Sequence, residues 1–372
     1  FVFSPELNRQ VLADGDTFQS QFFAVRGSRN SAQRRVTSGL LSQNGTEHRD
    51  TRRLLKDVFA KKALPGYHGI ICRLTDELTT RWNRESHVDL NGEMVQFMLR
   101  MTSALLFGLD DPEFAEKLGR LIDRWTHRNH EVGMGALVSA PQFARGYELL
   151  LQQAEELESS IREMFARHRS GNSDGLNILH LLMQATESGG SMTDDQLTGH
   201  ATLLFAAAHL TTAHTFSWTL FLLAQHPEQW KLLAEQPELA PRAVEECMRF
   251  FGAVRGTARF ASVDIEYKDV LFPTGTFMAV GLTEANRDTA VFTEPETFDI
   301  TVQKSEQPQL TFGSGIHYCL GQALARAELQ EALPLLARRM PNLRLDGDTA
   351  WKPDGVGIFG PANMPITFDP GH

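Results

Sequence analysis

The sequence predicts a mainly helical protein with a small β portion, organised around one long central helix. Three observations carry this. Gln196–Pro227 (QLTGHATLLFAAAHLTTAHTFSWTLFLLAQHP) contains no Asp, Glu, Lys or Arg. Long segments around it repeat apolar residues at helical spacing opposite charged faces. Alternating stretches broken by turn residues are short and fall late in the chain. No internal repeat and no Gly-, Ser- or Pro-rich linker interrupts residues 1–372, which are therefore expected to form a single large domain.

Taken in order, Ala144–His168 reads as an amphipathic helix and Gln196–Pro227 as the central one. As a helix the latter would run roughly 48 Å, longer than a bilayer core requires. It also carries His200, His209, His214 and His226 among many hydroxyls. A buried helix of a water-soluble protein fits better than a membrane span. Glu228–Phe251 reads as a further helix, and Arg259–Val280, turning at Pro273 and Gly275, as short strands. Cys319–Arg339 follows a Gly-rich turn and is expected to be helical until near Pro341, and Val356–Phe368 to form a strand pair.

Composition narrows function. With 36 Lys and Arg against 46 Asp and Glu, the formal charge of −10 argues against a general nucleic-acid binder. Cys72, Cys247 and Cys319 are odd in number and far apart, which suits free thiols in a reducing, cytoplasmic setting. The opening FVFSPELNRQVLADG lacks the basic-then-apolar pattern of a signal peptide.

The most informative stretch is Phe312–Gly321, FGSGIHYCLG, followed by QALARAEL. A phosphate loop is a poor fit, since no GK[ST] follows and no clear strand precedes it. A lone Cys is ordinarily a small buried hydrophobe. Here Cys319 sits where a helix is expected to start, so free N–H groups and the dipole favour a thiolate. Gly315 and Gly321 remove bulk on either side, which lets a flat group approach, and Phe312 is placed to shield the sulfur. In a chain of this composition, Phe312, Gly315, Cys319 and Gly321 would fall at this spacing by chance only about 0.001 times.

That pattern resembles the haem-thiolate signature of the cytochrome P-450 family. The resemblance covers nearly the whole chain and implies the family's fold, haem b (iron protoporphyrin IX) and Cys319 as the iron ligand. Thiolate ligation favours O–O cleavage. Gly313 belongs to the same cofactor loop. Glu246 and Arg249 match the family's E-x-x-R pair, a structural brace whose usual third member is a basic residue soon after a stretch like Glu294–Asp299. Val302 stands in that place here. His48 and Arg52, Arg259, and His317 match positions that hold the haem propionates.

On the central helix, Ala207-Ala208-His209-Leu210-Thr211-Thr212 stands where the family has A-G-x-[DE]-T-T. The resemblance places Ala207 and Ala208 against the haem and gives Thr211, with Thr212, the handling of water and protons. A threonine hydroxyl in a helix can instead bond an i−3 or i−4 carbonyl. Leu210 replaces the acid, so protons are expected to arrive through water, His209 or the substrate, or peroxide replaces dioxygen.

The implied activity is a monooxygenase that inserts one atom of O2 into a substrate. No nucleotide fingerprint and no Cys cluster is present, so electrons come from a separate protein such as a ferredoxin. Arg49, Arg52, Arg53, Lys56, Lys61 and Lys62 form a basic island that suits an acidic donor. Family topology places Leu204, Leu210, Val254, Ile358, Phe359, Phe22 and Phe23 at the substrate pocket. Their apolar character favours a lipophilic small molecule. The expected state is a monomer. A peroxide-driven peroxygenase is the alternative, although no basic residue stands at 210 or 211. A haem sensor without catalysis is a second. Family members carry a further segment before the equivalent of Phe1.

Overall fold

The structure, a computed structural model, describes residues 1–21, 25–56, 59, 66–84, 87–108, 111–135, 141–170, 177–180, 183, 192–302, 307–351 and 358–370. Its principal helices are α1 (Pro5–Ala13), α2 (Ala32–Val36), α3 (Gly45–Lys56), α4 (His68–Trp82), α5 (Leu90–Phe107), α6 (Pro112–Gly135) and α7 (Pro141–Ser170). They continue with α8 (Asp194–Gln225), α9 (Pro227–Glu235), α10 (Ala240–Phe250), α11 (Leu282–Ala285) and α12 (Gln322–Arg339). The strands are β1 (Phe18–Gln19), β2 (His87–Asp89), β3 (Gly256–Ala261), β4 (Ile265–Tyr267), β5 (Val270–Phe272) and β6 (Phe277–Gly281). Four short ones follow, β7 (Arg344–Leu345), β8 (Ala350–Trp351), β9 (Pro361–Asn363) and β10 (Pro365–Thr367).

The central helix α8 starts at a capping box. Thr193 accepts from the Gln196 N–H, and the Gln196 side chain accepts from the Thr193 N–H. Asp194 and Asp195 in its first turn suit the helix dipole. The helix is apolar all round because protein surrounds it, with α5 as its most extensive neighbour. Among the described residues, no helix is long and apolar enough to cross a membrane.

Proline corrects the expected helix Glu228–Phe251. Its chain breaks at Pro237, forms a single 3-10 turn, and restarts as α10 with Pro241 in its first turn. The helix expected from Cys319 begins only at Gln322 and passes through Pro334. Val356–Phe368 is not a strand pair. β9 pairs with β8, while β10 lies between β2 and β7.

One apolar core, containing Trp82, Trp125, Phe107, Phe205 and Phe216, runs through α4, α5, α6 and α8. A second, smaller cluster joins Val11 and Leu12 of α1 to Val280, Leu282 and Leu310. It fixes α1 beside the sheet β1-β3-β6 and the loop that carries Cys319.

Candidate active site

The Cys319 loop is tied to itself by backbone bonds. The Cys319 N–H donates to the Phe312 carbonyl at 3.0 Å, Tyr318 N–H to Gly315 O at 3.1 Å, and Gly313 N–H to Leu310 O at 2.7 Å. Gly313 and Gly315 both take left-handed backbone angles. At Gly315 a Cβ would lie 2.1 Å from the Leu12 carbonyl oxygen, so its missing side chain serves contact with α1. That corrects its expected role of admitting a flat group. At Gly321 a Cβ meets nothing within 4 Å, so that side of the loop is open.

Cys319 is enclosed by protein yet keeps intermediate exposure. Burial pushes its thiol up, while a hydrogen bond from the Gly321 N–H, the Arg52 and Arg326 charges and the Gln322 N–H favour the thiolate. Arg326 is a residue the sequence reading missed. Its guanidinium sits 4.4 Å over the Phe312 ring and pairs with Glu245. The i,i+4 spacing from Gln322 to Arg326 was the available signal, and Arg326 does reach back to the Gln322 side chain.

The four basic residues expected to share a role converge on this loop. The His48 and His317 rings lie 4.2 Å apart, and all four ring nitrogens are buried without a partner. Arg52, one turn along α3 from His48, donates to the Tyr318 carbonyl. Burial and the Arg52 and Arg49 charges lower the His48 pKa to about 4. Burial, His48, Arg259 and Arg52 lower His317 to about 3. Arg259, 4% exposed, donates through Nη1 to Thr257 Oγ1 at 3.2 Å and to the Ala258 carbonyl at 2.7 Å, and burial brings its pKa to about 10. Among the described residues, no carboxylate answers this cluster.

Glu246 and Arg249 form a contrasting, closed pair. Arg249 donates through Nε and Nη2 to the two Glu246 oxygens, each at 2.8 Å. Its other N–H groups reach the carbonyls of Asn286, Pro295 and Thr297, so all five donors are used. The brace needs no third side chain, and Val302 is half exposed.

On α8 the residues left accessible are instructive. Ala206 and Leu210 are part-exposed on one side of the helix; on another, Ala207 is exposed and Leu204, Ala208 and Thr211 are part-exposed. The i, i+3, i+4, i+7 spacing of these last four makes one stripe. Thr211 Oγ1 donates to the Ala207 carbonyl at 2.6 Å, while Thr212 is buried. Leu210 lies about 100° round the helix from Thr211, off the stripe. His209 points the other way, and this corrects its place as a proton donor beside Thr211. Fully buried, it lies against Phe205 O (2.8 Å) through Nδ1 and Asp123 of α6 (3.3 Å) through Nε2.

Val254 and Ile358 form an antiparallel bridge, and the Phe359 N–H donates to Ala253 O at 2.8 Å. This turn rests on α8, where Trp218 Nε1–H donates to the Phe359 carbonyl at 3.0 Å. The structure thus brings Val254, Ile358 and Phe359 to the helix that carries the stripe. Phe22 and Phe23 lie outside the described residues, as do Lys61 and Lys62. Of the remaining basic island, Arg53 and Lys56 are exposed, and Arg49 bonds Thr46.

Comparison with known proteins identifies the family. The family model described as Cytochrome P450 matches residues 1–340. Cytochrome P450 CYP107DY1 of Priestia megaterium (strain ATCC 12872 / QMB1551) is 31% identical over 306 residues, covering 82% of this chain and 70% of that protein. The biotin biosynthesis cytochrome P450 of Bacillus subtilis (strain 168) is 29% identical, covering 89% and 80%. The solved structure of P450BioI in complex with hexadec-9Z-enoic acid ligated Acyl Carrier Protein superposes with a TM-score of 0.82 at 27% identity, over 99% of this chain and 91% of that one. A family match along most of its length, together with a relative at 31% identity, shows that this chain belongs to the cytochrome P450 family, the haem-thiolate monooxygenases.

Proposed function

We propose that Cys319 is the thiolate ligand of a haem b held within a single domain spanning 1–372, and that the chain oxygenates a lipophilic small molecule with electrons from a ferredoxin. The observation that carries this reading is the buried basic cluster without acids. Four unpartnered imidazole nitrogens and an under-used Arg259 beside a cysteine loop cost stability unless a ligand supplies acceptors. Two carboxylates on a flat, apolar ring would supply them, and the open side of Gly321 and the stripe on α8 leave space for the ring.

In this arrangement His48, Arg52, Arg259 and His317 would hold the propionates, and Ala207 and Ala208 would face the ring. When bound, haem supplies dioxygen activation and oxygen-atom transfer to a C–H bond. The Thr211 hydroxyl donates its hydrogen bond to Ala207 O, so its oxygen lone pairs are free to accept from a water on the stripe. A leucine at 210 moves no proton, and His209 is turned to Asp123. Water held by Thr211 is therefore the local proton carrier. Leu204, Val254, Ile358 and Phe359 give the substrate an apolar surface. Arg53 and Lys56, exposed on α3 behind Arg52, offer the charge that would steer an acidic electron donor.

The test is a substrate screen with ferredoxin, its reductase and NADPH, run beside a peroxide-only arm. Donor-dependent product is expected, with a red-shifted reduced carbon monoxide spectrum. Thr211→Ala should divert electrons from product to peroxide and Thr211→Ser restore coupling. Product formed only with peroxide would favour a peroxygenase, and haem binding without turnover a sensor.

A further inference from the structure

We propose that His68, Cys72 and Glu331 form a zinc site that clamps α4 to α12, separate from the haem site. His68 and Cys72 stand one turn apart on α4, and Glu331 approaches from α12. His68 Nδ1 is 3.1 Å from a Glu331 carboxylate oxygen and 3.9 Å from Cys72 Sγ, with Nε2 at 3.7 Å from the same sulfur. One ligand atom from each residue falls within 4.8 Å of the other two. Tetrahedral Zn2+ with ordinary bond lengths needs roughly 3.3 Å between nitrogen and oxygen and roughly 3.6 Å between nitrogen and sulfur. The observed separations need only small side-chain adjustments.

The donor set is also selective. One imidazole, one thiolate and one carboxylate suit a borderline-soft divalent ion and are poor for Mg2+ or Ca2+, which prefer oxygen. Three protein ligands leave a fourth position for water. The ligands are held on rigid elements. Arg339, eight residues beyond Glu331 on α12, joins the same two helices, donating to Thr79 Oγ1, eleven residues beyond His68 on α4, at 2.8 Å and pairing with Asp76 at 2.5 Å. The two helices therefore run side by side in the same direction, fixed at the far end, and the near end presents its three ligands already gathered. Binding would displace the thiol proton from Cys72 and replace the His68–Glu331 contact by two metal bonds. Cys72 is part-exposed whereas Cys247 is buried, so an ion and a thiol reagent compete for an accessible sulfur.

The experiment uses the haem-loaded full chain, stripped with a chelator and dialysed against Zn2+, with metal counted by elemental analysis. Alkylation of Cys72 by iodoacetamide is followed by mass spectrometry. One Zn2+ per chain is expected, together with about a tenfold slowing of Cys72 alkylation once zinc is at ten times its dissociation constant. Cys72→Ser and Glu331→Gln should each reduce zinc retention at least about tenfold without altering the haem spectrum. Wild-type protein that retains no zinc, or retains it equally in Cys72→Ser, overturns the site. So does Cys72 alkylation indifferent to zinc, a readout that needs no variant to fold.

Discussion

Two buried clusters of basic and acidic side chains in this chain are built on opposite principles. At Glu246–Arg249 every guanidinium donor ends on an oxygen of the chain itself, and the acid neutralises the base. At His48, Arg52, Arg259 and His317 the bases face one another, and the ring nitrogens end on nothing. The first is complete in the protein alone. On the proposed reading, a ligand bearing acids completes the second. Unsatisfied burial on that scale is costly, so its persistence marks a binding site, whereas a satisfied pair marks architecture.

The comparison breaks most sharply at Cys319. Cys319→Ser should abolish the red-shifted carbon monoxide spectrum and lower oxygenation at least about a hundredfold, more than loss of a group that merely orients a ligand. Glu246→Gln should destabilise the chain by about 3–5 kcal/mol, with or without haem, because it strands a buried guanidinium; denaturant titration of both forms checks this. Arg259→Gln should behave differently. The haem-free chain keeps or gains stability, while haem dissociates about 10- to 100-fold faster, as expected from losing one charged hydrogen bond worth 1.5–3 kcal/mol. Equal destabilisation of both forms would erase the distinction between the clusters.

The smallest effect is in pH. His48 and His317 have folded pKa values of about 4 and about 3, below the ordinary histidine value near 6.5. Between those values the unfolded chain binds more protons, so stability of the haem-free protein is full above about 6.5 and falls as pH drops toward 3–4. His200, lowered to about 4 by burial in the core, acts in the same direction with or without haem. Propionates would favour the charged forms of His48 and His317, so haem-loaded protein should lose less stability over that range. Melting temperature against pH for the two forms measures the difference.

Much of this was legible in sequence. A charge-free run of 32 residues, too long and too rich in His and hydroxyls for a simple membrane span, pointed to a buried helix, and the Cys319 motif left few alternatives. What was hidden depends on direction. Which way His209 points follows from its position on a helical wheel against α6, which one sequence does not place. The brace without a basic partner was unreadable because its acceptors are backbone carbonyls, which every residue has. Lys268 and Asp269, with positive φ in the turn between β4 and β5, gave no glycine signal. Gly315 was correctly noticed but for the wrong neighbour, since only the packing of α1 reveals what its bareness admits.

That packing has a temporal consequence. The loop presenting the sulfur takes its shape against a carbonyl roughly 300 residues earlier, so its final geometry waits on a contact of very high sequence separation. Prosthetic-group capture should accordingly follow, rather than template, the meeting of α1 with this loop, and an emerging chain on the ribosome would hold no competent ligand until the Cys319 loop is released.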